Sequence, residues 1–293
     1  MINYNETKIT SIQDYICWIK NAHDFEVPCD NGTKKNHHDK IYFRGQAKNE
    51  WPLISGVFRD DSSNYMSEHN LLQHAMWRLS LDLSALPSYL EKLIFLQHYG
   101  LKTRLLDVTF NPLIALYFAC SSHAEDDGAV YCGCRHDKAT NETIEMAEWT
   151  AEFLFTLPYQ SFDIAFMSFL DKKNIKNRLQ EFAEPLFIMP PMNNPRIEEQ
   201  NGAFVMAPLI EKTDENFKWN NNVEVNLDSL DNSCFFALHR AIIPCSQKEV
   251  LLKELSELGI NQGSVFKSIP DILQSIMTEE KWKSEKYNNI LYE

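Results

Sequence analysis

The clearest pattern of apolar and polar positions lies at Gln97–Cys120, QHYGLKTRLLDVTFNPLIALYFAC. A helical run reaches Gln97-His98-Tyr99 and stops at Gly100, the residue that most cheaply takes the left-handed turn past a helix end. A short segment, Thr103–Thr109, follows, with Arg104 and Asp107 set among Leu105, Leu106 and Val108. Asn111-Pro112 then predicts an N-cap and a proline at the first helical position. Leu113–Cys120 is apolar on nearly every side, which predicts a buried helix rather than an amphipathic one. Charged groups beside such a helix need partners. An Arg104–Asp107 ion pair tying down the loop is one reading of this segment, and a functional site is the other.

The rest of the chain divides around that stretch. Ser11–Asp14 reads as a capping box, with Ile12, Tyr15, Ile16 and Ile19 following at helical spacing. Cys29–Lys40 is a polar loop in which the adjacent His37 and His38 read as solvated. Ile41–Gln46 is a short strand ending in Arg44-Gly45-Gln46. An arginine there, followed by glycine, suits a phosphate: the side chain supplies a forked donor, and the glycine lets a ligand approach the backbone. Helices are predicted over Leu71–Leu81 and from near Pro87, the second carrying Leu90, Leu93, Ile94 and Gln97 on one face. His98 ends it, where a protonated imidazole is favoured by the dipole, and both a packing and a functional role stay open.

Gly128–Cys132 reads as a strand, residues 142–180 as a helical insertion, and Pro185–Pro195 as an extended, proline-punctuated stretch. Arg196–Pro208 runs from polar residues into a strand. Cys234–Ile243 is the last strong strand, and Pro244 ends it. Ser246–Glu249 is a second capping box, before a helix lined by Leu251, Leu252, Leu255 and Leu258 and closed by Gly259. Residues 279–293 read as a charged tail or frayed helix. Separated strands, with helices clustered between the first two and after the last, predict an α+β fold.

Charge changes the picture only locally. Lys plus Arg is 28 against 41 Asp plus Glu, a net charge of −13, which disfavours non-specific adhesion to nucleic acid or an anionic membrane. Between Asn31 and Asp60 the balance reverses, with Lys34, Lys35, Lys40, Arg44, Lys48 and Arg59 against Asp39, Glu50 and Asp60. The 7 cysteines are odd in number and scattered, which suits reduced thiols in a cytoplasmic protein. Cys132-Gly-Cys134-Arg-His136 lacks zinc-knuckle spacing, so no metal is expected. No leader and no membrane-length apolar run is expected either. The Walker, GxGxxG, GxSxG and HExxH patterns are missing from the sequence.

With these blocks in view, the chain resembles the FRG-domain family. The resemblance rests on Tyr42-Phe43-Arg44-Gly45-Gln46 and on the long block from Gln97-His98-Tyr99-Gly100-Leu101 through Thr103–Asp107 to Asn111-Pro112 and Ala115–Ala119. It rests also on Arg196-Ile197 with Gln200, Gly202 and Phe204, and on Ile242-Ile243-Pro244 with Leu255, Gly259 and Ile260. It implies a single FRG-type domain with a core of about residues 10–270. A weaker similarity to ADP-ribosyltransferases of toxin or phage-defence type implies a mixed or antiparallel sheet and NAD⁺ as co-substrate. The modified target would be a macromolecule, with an RNA or DNA base ahead of a protein side chain, and the partner an antitoxin-like inhibitor protein.

That similarity also implies roles. Arg44, with Gly45, would anchor the phosphates or ribose, Thr109 would supply a hydroxyl, and Tyr117 or Tyr42 a stacking face. The catalytic candidates are Gln200, Glu199, Asp107, Arg104 and His98, with Arg196 and Gln46 on the substrate side. Gln200 stands where the transferases usually carry Glu; Glu198 and Glu199 are beside it and Asp107 is elsewhere. Two other readings follow from the same residues: a non-catalytic nucleotide- or protein-binding module, and a nuclease or hydrolase using His98, Arg104 and Asp107.

Overall fold

The computed structural model describes residues 5–23, 26–28, 34–36, 41–59, 65–134, 141–157, 162–189, 200–212, 217–219, 239–266 and 269–291. Its strands are β1 (Asn5–Lys8), β2 (Glu26–Pro28), β3 (Lys34–Asn36), β4 (Ile41–Gln46), β5 (Leu105–Thr109), β6 (Gly128–Cys134), β7 (Leu186–Ile188), β8 (Gly202–Met206), β9 (Ile210–Lys212), β10 (Phe217–Trp219) and β11 (His239–Ile243). Seven of them form one mixed sheet in the order β1-β11-β6-β4-β5-β8-β7, while β2–β3 and β9–β10 are separate hairpin pairs. Only β1 runs parallel to its neighbour, β11. The fold is α+β, as the pattern predicts.

Alternation along the strands gives each sheet face its own core. Tyr42, Leu106, Val108, Tyr131, Val205 and Ile242 share one face with Phe187. Phe43, Val130, Cys132, Ala241 and Ile243 share the other, under α1 (Ile12–His23), the nearby helix Pro112–Cys120 and the helix Cys245–Glu257. A third core lies beyond β5 and β8. There α2 (Tyr65–Arg78), α3 (Ser80–Ser84) and α4 (Tyr89–His98) meet Leu105 and Met206. Pro112–Cys120 is α5, and α6 (Asn141–Thr156) and α7 (Phe162–Lys173) fill the segment read as an insertion. Met146, Phe153, Leu154 and Phe166 from that segment are integral to the third core, not appended to it.

Local signals translate closely. Asn111 Oδ1 accepts from Leu113 N at 3.0 Å, with Pro112 in the first turn. Ser88 Oγ accepts from Glu91 N at the start of α4. Gly100 and Gly259 end their helices at φ +93° and +82°.

The two capping boxes differ from expectation. Asp14 N donates to Ser11 Oγ, but the Asp14 carboxylate accepts from Thr10, and Ile12 N donates to Glu254. The helix Cys245–Glu257 has no side-chain cap from Ser246; instead Cys245 N donates to Asp127 Oδ1 at 2.8 Å. A distant carboxylate replaced the local box. The helix read as Leu71–Leu81 runs Tyr65–Arg78 and restarts at Ser80. The charged end lies in a helix, Ile269–Leu291. Cys29, His37, His38, His136 and Cys234 are outside the described residues. No helix among those described is long and apolar enough to cross a membrane.

Candidate functional site

The sheet parts in the middle. β4 is laddered to β6 along all of Ile41–Gln46, and β5 to β8 along all of Leu105–Thr109. Between β4 and β5 the pairing is a single residue pair, Phe43 with Thr109. Where the two strands diverge, a cleft of about 310 Å³ opens, at the low end of the range for small-molecule sites. Arg44, Gly45 and Gln46 line it from β4, Asp107 and Thr109 from β5, and Gln97 and His98 from the end of α4. Phe118 of α5, Phe204 of β8, Gln200, Trp51 and Arg59 complete the wall.

Arg44 bridges the gap that the missing ladder leaves. Its Nη1 donates to the Asp107 carbonyl at 2.6 Å, in place of a strand-to-strand hydrogen bond. Its Nε is buried without a partner among the described residues. Burial draws the guanidinium down to about 10, against the pull of the Asp107 charge and with a further push from Arg59. Asp107 itself is exposed, and its Oδ1 accepts from Gln97 Nε2 at 2.9 Å. Gln97 Oε1 in turn accepts from the Thr103 hydroxyl. The carboxylate is thus held by a side-chain relay on the cleft wall.

The Arg104–Asp107 pair does not form. Three residues apart on an extended chain, the two side chains point to opposite faces. Arg104 is 1 % exposed and lies against Glu68 of α2, with Nε–Oε1 at 3.0 Å and Nη2–Oε2 at 2.5 Å. A third donor, Nη1, reaches the Pro208 carbonyl at 3.0 Å. Arg104 therefore belongs to the frame rather than to the cleft, which also removes the cation from the nuclease reading.

The other candidates separate in the same way. Thr109 lines the cleft, but its only hydroxyl proton goes to the Gln200 carbonyl at 2.6 Å, and its oxygen accepts from Asn111 N at 3.0 Å. It fixes the entry to α5 and has no proton to offer a ribose. Tyr42 is packed into the core, 5.0 Å from the Phe187 ring, and is not among the residues lining the cleft. Tyr117 points into the core beside Phe118 and Phe266, and burial pushes its phenol up to about 12. Phe118, one residue on, lines the cleft instead, with Phe43, Trp51 and Phe204. Gln46 and His98 line the cleft, Gln46 anchored through Nε2 on the Trp51 carbonyl at 2.9 Å. Gln200 also lines it and donates to the Val265 carbonyl at 3.2 Å. Glu199, Glu198 and Arg196 lie outside the described residues.

Gly45 has a different purpose from the one its sequence suggests. A Cβ there would sit 1.8 Å from the Ala115 carbonyl oxygen, so the glycine admits the backbone of α5, not that of a ligand.

Lys248 is a residue the sequence reading passed over. Lys248 is 2 % exposed, and its ammonium donates to the carbonyls of Ala47, Ser122 and His123 at 2.7, 3.0 and 2.8 Å. Ala47 and Ser122 line the cleft, so this one cation ties its β4 side to the end of α5. Its position in the stripe Lys248, Leu251, Leu255 was the available signal. Lys248→Met keeps the volume but strands three buried carbonyls. It should lower stability by about 2–3 kcal/mol in urea unfolding, and a loss near zero would mean water replaces the ammonium.

Residues 39–128 match the family model described as the FRG domain. No curated protein and no solved structure matches the chain. The matched stretch contains β4, α4, β5 and α5, and with them Arg44, Gln97, His98, Asp107 and Thr109. The match to the FRG domain thus covers the stretch that contributes most of the cleft's polar wall.

Proposed function

We propose that the cleft binds NAD⁺ and that the protein is an ADP-ribosyltransferase-type effector acting on a macromolecule. One observation carries this reading: Arg44, with a buried donor that is unpartnered among the described residues, and the Asp107 carboxylate line the same cleft. A dinucleotide needs a forked cation for its pyrophosphate, and Arg44 offers one. It needs an apolar face for the nicotinamide, offered by Phe118 and Phe204. Cleavage of the bond between ribose C1′ and nicotinamide nitrogen leaves positive charge on the sugar, which an anion must stabilise. Asp107 is the acid lining the cleft among the described residues.

In the reaction, nicotinamide departs with the electron pair of the broken bond. The acceptor nucleophile forms the new bond at C1′ and releases its proton. A nucleic-acid base is the favoured acceptor, because the locally basic segment Asn31–Asp60 contributes Arg44 and Arg59 to the cleft. An effector of this kind requires restraint by an inhibitor protein in its own cell.

The test is nicotinamide release from NAD⁺, with mass spectrometry of RNA, DNA and protein for added ADP-ribose. Asp107→Asn should reduce release by about tenfold or more while NAD⁺ still binds. Release unaffected in that variant removes Asp107 from the chemistry. A second reading, a non-catalytic nucleotide-binding module, is favoured by Gln200 at the position of the usual acid. Binding of NAD⁺ by the unaltered protein without release of nicotinamide would select it.

A further inference from the structure

We propose that Arg44 and Arg59 form a two-armed site for a diphosphate, with Arg44 as the buried arm and Arg59 as the rim arm. The inference rests on the same cleft as the NAD⁺ reading and names the ligand group that the cleft selects; it does not require transfer.

The first arm is set by how Arg44 is held. Nη1 is committed to the Asp107 carbonyl at 2.6 Å, which leaves the edge formed by Nε and Nη2 without a protein partner among the described residues. That edge is one of the two on a guanidinium that can bind an oxyanion with two parallel hydrogen bonds. Its Nε is buried, so the desolvated donor costs stability until an acceptor arrives.

The second arm comes from the turn that follows Gly56–Phe58. Arg59 Nε and Nη2 converge on the Ile54 carbonyl at 3.3 and 3.2 Å, so the side chain is positioned on its own loop. Val57 N donates to the Thr103 carbonyl at 3.1 Å, fixing this turn to the residues just before β5. Nη1 of Arg59 is left without a partner among the described residues.

The electrostatics point the same way. Arg59 lies near enough to disfavour the charge on Arg44, and both line one cleft. The acid that lines the same cleft, Asp107, already has Oδ1 engaged by Gln97. Two like charges lining one cleft with one partly committed carboxylate call for an anion with more than one charge. Two guanidiniums on separate elements, each matching one phosphoryl group, suit a diphosphate better than a monophosphate.

The experiment is calorimetric titration of the full chain with inorganic pyrophosphate, ADP-ribose and AMP at constant ionic strength. Arg59→Gln is the main variant, because Arg59 is exposed and its loss leaves the core intact. Pyrophosphate and ADP-ribose should bind competitively. Arg59→Gln should weaken both by about tenfold or more and AMP by much less. Arg44→Lys, which keeps charge and loses the fork, should weaken all three. Absence of pyrophosphate binding, or equal losses for AMP and ADP-ribose in Arg59→Gln, overturns the two-armed site. Diphosphate binding without nicotinamide release upholds the site and removes the transferase. Nicotinamide release that neither pyrophosphate nor Arg59→Gln diminishes removes the site and leaves the transferase standing.

Discussion

Arg104→Met is expected to lower the unfolding free energy by about 3–5 kcal/mol, the range seen when one partner of a buried ion pair is deleted. Arg104 and Glu68 are 1 % and 2 % exposed, and their two parallel hydrogen bonds leave each charge balanced by the other. Methionine fills much of the vacated volume but strands the Glu68 carboxylate in the core. It also frees the Pro208 carbonyl that Arg104 held at 3.0 Å. The loss is therefore electrostatic rather than steric. The double variant Arg104→Met/Glu68→Leu separates the two, because removing both charges removes the desolvation cost with them. It should recover most of the stability in urea unfolding. If the double variant is as unstable as the single one, shape at this position matters more than charge. The pair also fixes α2 to the residue immediately before β5, the strand that presents Asp107. A smaller effect on ligand affinity should accompany the stability loss.

The sequence was legible where the cause of a structure is local. The Asn111-Pro112 cap, the glycine stops at 100 and 259 and the strand Ile41–Gln46 all follow from neighbours within a few positions. Arg44 was legible for the same reason, as a cation ending an aromatic strand. What escaped was set by partners far along the chain. Glu68 stands 36 residues before Arg104, and the Lys248 ammonium reaches carbonyls 125 to 201 residues away. Nothing near either residue announces those partners. The aromatic wall was misassigned by one position on α5, because successive helical residues point about 100° apart. That turn sends Tyr117 into the core and Phe118 to the cleft. The parting of β4 from β5 has no signature in either strand, since it depends on what lies on both sides of them.

Gly45→Ala carries the parting of the sheet into a test. The new Cβ would fall 1.8 Å from the Ala115 carbonyl oxygen, 2.8 Å from its carbon and 3.0 Å from Ala119 N. All three are backbone atoms of a buried helix, so no flexible side chain can yield, and α5 or β4 must move. Gly128 on β6 faces the same helix, its own added Cβ 2.4 Å from the Ala119 carbonyl oxygen. The helix thus rests on two adjacent strands through two glycines, with the fully buried Ala115 and Ala119 as its facing residues. Overpacking of ordinary cores costs about 1–3 kcal/mol, and a clash confined to backbone should reach about 3 kcal/mol or exceed it. Gly56→Ala is the control, since its Cβ would meet Lys102 at an ordinary 3.5 Å and should be close to neutral. Any displacement of α5 shifts Phe118, so diphosphate affinity should fall along with the unfolding midpoint. A Gly45→Ala protein as stable as the unaltered one would mean that α5 does not seat on β4 this closely. The Arg44 bridge and the cleft beside it would then need a different origin.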